Sequence, residues 1–136
     1  MKKLVLALVM LASVLYSQAQ SIGDDLNTIR ESKPNGSFDT DPKPYTYSVL
    51  QESVNSLMIY FLNDNLVCYQ IVIAPQTSSS RQKWISTFND SWVTISSTSW
   101  KFYKEDGMIL KTVIDYVDGV GTVFLIREEK KEGVEN

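Results

Sequence analysis

Two apolar runs constrain this chain more than anything else in it. Residues 57–62 and 66–73 carry almost no polar interruption, and Asn63-Asp64-Asn65 joins them. An unbroken apolar run of strand length is the pattern of a strand covered on both faces. Asn and Asp tolerate turn geometry, so the pair reads as a hairpin at the middle of a sheet, closed by Ala74-Pro75.

Around that hairpin the periodicity changes. Tyr45, Tyr47 and Val49 alternate with Thr46 and Ser48, the period of a strand with one polar face. Three further strands are expected over residues 100–103, 108–116 and 122–126. Glu105-Asp106-Gly107 links the first two and Asp118-Gly119 lies between the last two. Trp84, Ile85, Phe88 and Trp92 share one helical face while Lys83, Ser86, Asn89 and Asp90 fall away from it. That predicts an amphipathic helix capped by one of Ser78, Ser79 and Ser80. Ile22, Leu26 and Ile29 predict a shorter helix over 21–32, with Asp24 and Asp25 in its first turn and Lys33-Pro34-Asn35-Gly36 at its end. Pro42 and Pro44 make residues 37–44 an extended loop.

The expected fold class is therefore α+β: helix, three-strand meander, helix, three-strand meander. Two αβββ units would form one compact domain, each helix covering the apolar face of its antiparallel sheet. Residues 20–127 are expected to make that single domain and 128–136 a flexible charged tail.

Residues 1–19 read differently. Lys2 and Lys3, an apolar run over 4–16 and Ser17-Gln18-Ala19 fit a secretory signal cut after Ala19. The run is short for a bilayer span of about 20 residues, and no second such run follows. The expectation is an exported protein, periplasmic or secreted, with no stable membrane anchor after cleavage.

Charge and residue counts narrow the chemistry. Loss of Lys2 and Lys3 leaves 13 Lys and Arg short by two, moving the formal charge from −3 to −5. With its basic residues scattered, such a chain is not built to track a phosphate backbone, so no nucleic acid partner is expected. Cys68 is the only cysteine, which excludes an intramolecular disulfide and suits a small buried hydrophobe. The chain contains no histidine. The Ser-His-Asp, Cys-His and zinc-hydrolase designs are excluded as usually built, leaving carboxylate chemistry or a Ser-Lys pair.

Asp24, Asp25, Asp39 and Asp41 form a dense acidic region, but their spacing matches no metal loop. They read as helix-start charges and a solvated loop. Ser80 and Lys83 satisfy the short Ser-x-x-Lys spacing without the other motifs of the penicillin-recognising enzymes, and read as a cap followed by a solvent-facing lysine. Asn35-Gly36-Ser37 matches the glycosylation triplet by chance. No catalytic, cofactor-binding or metal-ligating residue is assigned, and no cofactor is expected. Aromatic residues crowd the expected strands: Tyr45, Tyr47, Tyr60, Tyr69, Trp100, Phe102, Tyr103 and Tyr116. If helices cover one sheet face, some of these face outward, where Tyr and Trp anchor partners well. Tyr45, Tyr47, Trp100 and Phe102 are the candidate binding residues.

The element order, and in particular Ile22-Gly23-Asp24-Asp25-Leu26-Asn27-Thr28-Ile29 with a proline soon after and aromatic-rich hairpins beyond, resembles small exported bacterial domains of the β-lactamase-inhibitor-protein-like fold. The outer-membrane-assembly lipoproteins of the SmpA/OmlA type belong to that group. The chain differs from those lipoproteins in having no cysteine directly after the leader. The resemblance implies a protein that works by binding other proteins without catalysis of its own. The functional expectation is a soluble exported binding domain that engages a protein partner in the cell envelope through an aromatic sheet face. Two alternatives belong to other classes: a carboxylate-dependent hydrolase of glycan or cell wall, with paired acids in a pocket, and a periplasmic small-molecule carrier with an enclosed apolar cavity.

Overall fold

The structure is a computed structural model that describes residues 21–129. The expected leader and residues 130–136 of the expected tail lie outside them.

Leu26–Ser32 form helix α1, and β1 (Ser37–Asp39), β2 (Tyr45–Gln51), β3 (Ser56–Leu62) and β4 (Cys68–Pro75) follow. Helix α2 (Ser78–Ser91) then precedes β5 (Val93–Ser96), β6 (Ser99–Tyr103), β7 (Ile109–Val117) and β8 (Gly121–Glu128). All the strands join one antiparallel sheet of eight, in the order β1-β2-β3-β4-β8-β7-β6-β5. This overturns the expected pair of αβββ units. The molecule is mostly sheet, with two helices among the described residues, each followed by four strands.

The strands that escaped the sequence pattern, β1 and β5, are the two sheet edges. Pro42 and Pro44 rule out a ladder where they stand, but they lie beyond Asp39, so Ser37, Phe38 and Asp39 are free to pair with Ser48, Tyr47 and Thr46. β5 is short and all its residues are exposed, so burial imposes no pattern on it. Edge strands need only one hydrogen-bonded neighbour, and both signals are correspondingly weak.

The central hairpin is where the apolar runs place it. Seven residue pairs register β3 on β4, from Ser56↔Pro75 to Leu62↔Cys68, with an irregularity at Phe61/Leu62. Asn63 organises the turn: its side-chain oxygen accepts from the amides of Asn65 (2.9 Å) and Val67 (3.0 Å), and Leu66 takes a positive φ of 61°. The incoming chain extends this centre, because the Gly23 amide donates to the Cys68 carbonyl (2.9 Å) and the Cys68 amide donates to the Asp24 carbonyl (2.8 Å).

Helix termini also differ from expectation. Asp25 is the N-cap of α1 and lies outside its first turn, accepting from the Thr28 amide at 2.8 Å. α2 is capped by Thr77, one residue before the serines. The Thr77 hydroxyl accepts from the Ser80 amide, and the Ser80 hydroxyl accepts from the Thr77 amide, both at 3.1 Å. Serine thus performs the return half of a capping box that Glu or Gln usually supplies.

Ile22, Leu26 and Ile29 join Trp84, Phe88 and Trp92 against one sheet face in the main core. Phe88 is its hub, stacked on Trp100 (centroids 5.1 Å apart), edge-on to Trp92 (5.2 Å) and tilted against Phe124 (5.4 Å). Such pairs add about 0.5–1.5 kcal/mol each beyond the area they bury. Two of the buried indoles have a polar partner: Trp84 Nε1 donates to Ser56 Oγ and Trp100 Nε1 to Asn89 Oδ1, each at 2.8 Å.

Thr112 breaks this pattern. Its side chain is fully buried opposite Trp100 and Ile126, and its hydroxyl has no hydrogen-bond partner. An unmet buried hydroxyl costs more than the methyl that would replace it. Thr112→Val should therefore raise stability by about 1 kcal/mol, read as a higher urea midpoint at unchanged slope.

Candidate functional site

Register fixes which side chains share a face. Trp100, Thr112, Ile126, Ile71, Tyr60 and Tyr47 are consecutive cross-strand partners from β6 to β2, and all face the helices. The expected aromatic binding surface falls on this side. Tyr47 and Trp100 are buried core residues at 1% and 0% exposure. Tyr45 is half-buried, edge-on to Phe38 at 6.3 Å with the Lys43 ammonium 5.1 Å from its ring centre. Phe102 is half-buried against Trp92, their centroids 5.3 Å apart. The sheet brings the four residues to one face, with Tyr47 and Trp100 closed to a partner.

Tyr47 has a structural task. Its hydroxyl donates to the Lys33 carbonyl and accepts from the Gly36 amide (3.0 Å), tying the end of α1 to β2. Glycine is required at 36 because the ring lies against its backbone: a Cβ there would sit 2.3 Å from Tyr47 Cζ. Gly36→Ala should cost about 1–3 kcal/mol by overpacking, and Tyr47→Phe about 1–2 kcal/mol by leaving two groups unpaired. Denaturant titration of each variant checks both.

The opposite face is the one the sequence reading missed. Val72, Ala74 and Val123 are buried there, with Leu57, Ile59, Phe61 and Leu125 half-buried around them. Every member of this second apolar cluster comes from β3, β4 or β8, and its centre is closed to solvent, with Val72, Ala74 and Val123 at 7%, 1% and 0% exposure. One level of the face reads Ser99, Val113, Leu125, Val72, Ile59 and Ser48 from β6 to β2. The neighbouring level reads Lys101, Lys111, Arg127, Gln70, Phe61 and Thr46, so three cations stand side by side next to the apolar band. Like charges directly opposite on adjacent strands oppose folding. Glu129 offsets part of this, pairing with Lys101 at 2.8 Å. Tyr69 (43% exposed) and Leu50 (53% exposed) continue the apolar surface towards its rims. The signal was present in the sequence: an apolar run with no alternation must place apolar groups on both faces of its strand.

The other candidates resolve separately. The Thr28 amide and side chain hold the Asp25 carboxyl below its ordinary pKa, as capping requires. Partial burial raises that of Asp24, with Lys104 opposing and Asp25 assisting. Asp39 lies on the edge strand β1, exposed, and Asp41 is exposed in the following loop. Among the described residues no group of His, Cys, Asp or Glu could hold a metal ion. Ser80 serves the cap, and Lys83 is exposed on α2. An open cleft of about 430 Å³ lies where the incoming chain meets β4 and β8, with Ile22, Val67, Met108, Gln70, Arg127 and Glu128 in its wall. Its lining is mixed and its mouth open, unlike the enclosed apolar cavity of the carrier alternative.

Cys68 sits beside this cleft but is itself buried, its thiol 3.5 Å from the Gln70 carbonyl. Burial pushes its pKa up to about 12. Only the thiolate is a good nucleophile, so iodoacetamide should label Cys68 at neutral pH no faster than the chain unfolds. A labelling rate equal to that of the urea-denatured chain would contradict this.

No family model, curated protein or solved structure matches the chain.

Proposed function

We propose that this protein is a non-enzymatic binding domain of the exported class and that the sheet face away from α1 and α2 is its binding surface. The carrying observation is the second apolar cluster on β3, β4 and β8, in which half-buried Leu57, Ile59, Phe61 and Leu125 surround a buried centre and to which neither described helix contributes a residue. The flanking residues keep part of their surface open and exposed Leu50 and Tyr69 stand at the rims, and apolar side chains gathered on one face commonly serve an interaction. A flat sheet face bordered by polar rows also has the anatomy of a protein interface, an apolar centre with a polar rim.

Among the described residues both core clusters lie within residues 22–126, so a chain of residues 20–136 retains their members. Immobilised on beads, that chain should retain a specific protein, another copy of itself included, from an envelope extract of the cells that make it. The Ile59→Asp/Phe61→Asp variant should lose this capture while keeping its far-ultraviolet circular dichroism. Capture that survives the double substitution in a folded chain would place the surface elsewhere.

A further inference from the structure

We propose that Asn35-Gly36 is a self-modifying site that the fold holds closed, and that the Tyr47 hydroxyl is the group that closes it. The step is the one Asn-Gly pair of the chain, in the turn between α1 and β1. The shape of that turn demands both residues. Asn35 holds a positive φ of 73°, in the left-handed region that asparagine tolerates better than most side chains. Gly36 lies against the Tyr47 ring, where a Cβ would meet Cζ at 2.3 Å. The same pair is chemically exposed, because glycine has no side chain to shield its amide nitrogen from the asparagine before it.

The reaction needs no enzyme and no reagent but water. The Gly36 nitrogen gives up its proton to a base in solution and attacks the side-chain carbonyl carbon of Asn35. A carbon–nitrogen bond forms there, the bond to the side-chain amide nitrogen breaks, and that nitrogen leaves as ammonia with a proton taken from water. The cyclic imide then adds water at either carbonyl and opens to aspartate or to isoaspartate. Both products carry a new carboxylate, and isoaspartate also lengthens the main chain by a methylene.

Asn35 is exposed, so burial does not protect the step. Protection falls to the nitrogen. The Gly36 N–H donates to the Tyr47 hydroxyl at 3.0 Å, while that hydroxyl donates to the Lys33 carbonyl. The proton that must leave is therefore held by an oxygen whose own proton is engaged, on a side chain at 1% exposure. Imide closure also requires Gly36 to move, and the ring against its backbone leaves it little room. The reaction thus waits on a local opening in which Tyr47 and Gly36 part, and the free energy of that opening sets its rate. Isoaspartate would shift Gly36 from its place against the ring, so the tie between α1 and β2 would not be remade afterwards.

Peptide mapping by mass spectrometry, on protein kept at mildly alkaline pH, measures conversion at Asn35. A peptide of residues 30–41 serves as the unprotected reference. The folded protein should convert at least about tenfold more slowly than the peptide, and Tyr47→Phe should raise the folded rate about fivefold or more, in keeping with a lost buried hydrogen bond. Ser56→Ala is the control: it deprives Trp84 Nε1 and the Val54 carbonyl of their partner, a comparable loss at the start of β3 and away from the turn. Its folded rate should match the parent's. Equal acceleration in the two variants would assign the protection to global stability and overturn the role of Tyr47, as would a Tyr47→Phe rate no higher than the parent's. Conversion of the folded protein at the rate of the peptide or above would overturn the closure itself.

Discussion

The pairing of β4 with β8 holds the two halves of this molecule in one sheet. It is short: Gln70, Ile71, Val72 and Ile73 register with Arg127, Ile126, Leu125 and Phe124. Every other strand contact stays within β1–β4 or within β5–β8. The seam survives because both of its faces are apolar. Ile71, Ile73, Ile126 and Phe124 enter the main core beneath the helices, while Val72 and Leu125 belong to the cluster on the other side. Sequence-distant strands meet here, so their loop-closure entropy is offset by burial on two sides where an outer strand gains it on one.

That double burial explains what the amino-acid sequence made legible. The hairpin of β3 and β4 stood out because an unbroken apolar run admits few other readings, and Trp84, Phe88 and Trp92 marked α2 by their spacing. The edge strands did not stand out. Asp39 and the prolines that follow it resemble a loop, and Val93-Thr94-Ile95-Ser96 is too short and too exposed for burial to write a pattern into it. Periodicity also leaves open which face of a sheet the helices take. Tyr47 and Trp100 read as outward anchors until register placed them with Tyr60 and Thr112. The candidate surface itself was visible only as an excess, apolar residues at positions where an ordinary half-covered strand would alternate.

The aromatic content has a structural explanation through its polar atoms. Trp84 reaches Ser56, Trp100 reaches Asn89, and Tyr47 links Lys33 to Gly36. Each large side chain brings volume to the core and at least one hydrogen bond that fixes its orientation, joining α2 to β3, β6 to α2, and β2 to the segment after α1. Oriented contacts of this kind select one arrangement of a core that apolar volume alone would leave less specified. They also reserve the helix side of the sheet for stability. The face carrying Ile59, Phe61 and Leu125 is the one we propose for interaction.

The bonds between Gly23, Asp24 and Cys68 have a mechanical consequence. The incoming chain is hydrogen-bonded to β4, the middle of the sheet, while β1 and β5 lie at its margins. Tension applied ahead of Ser21 would therefore be delivered straight to the central strand, and the whole sheet would share it before either edge began to peel.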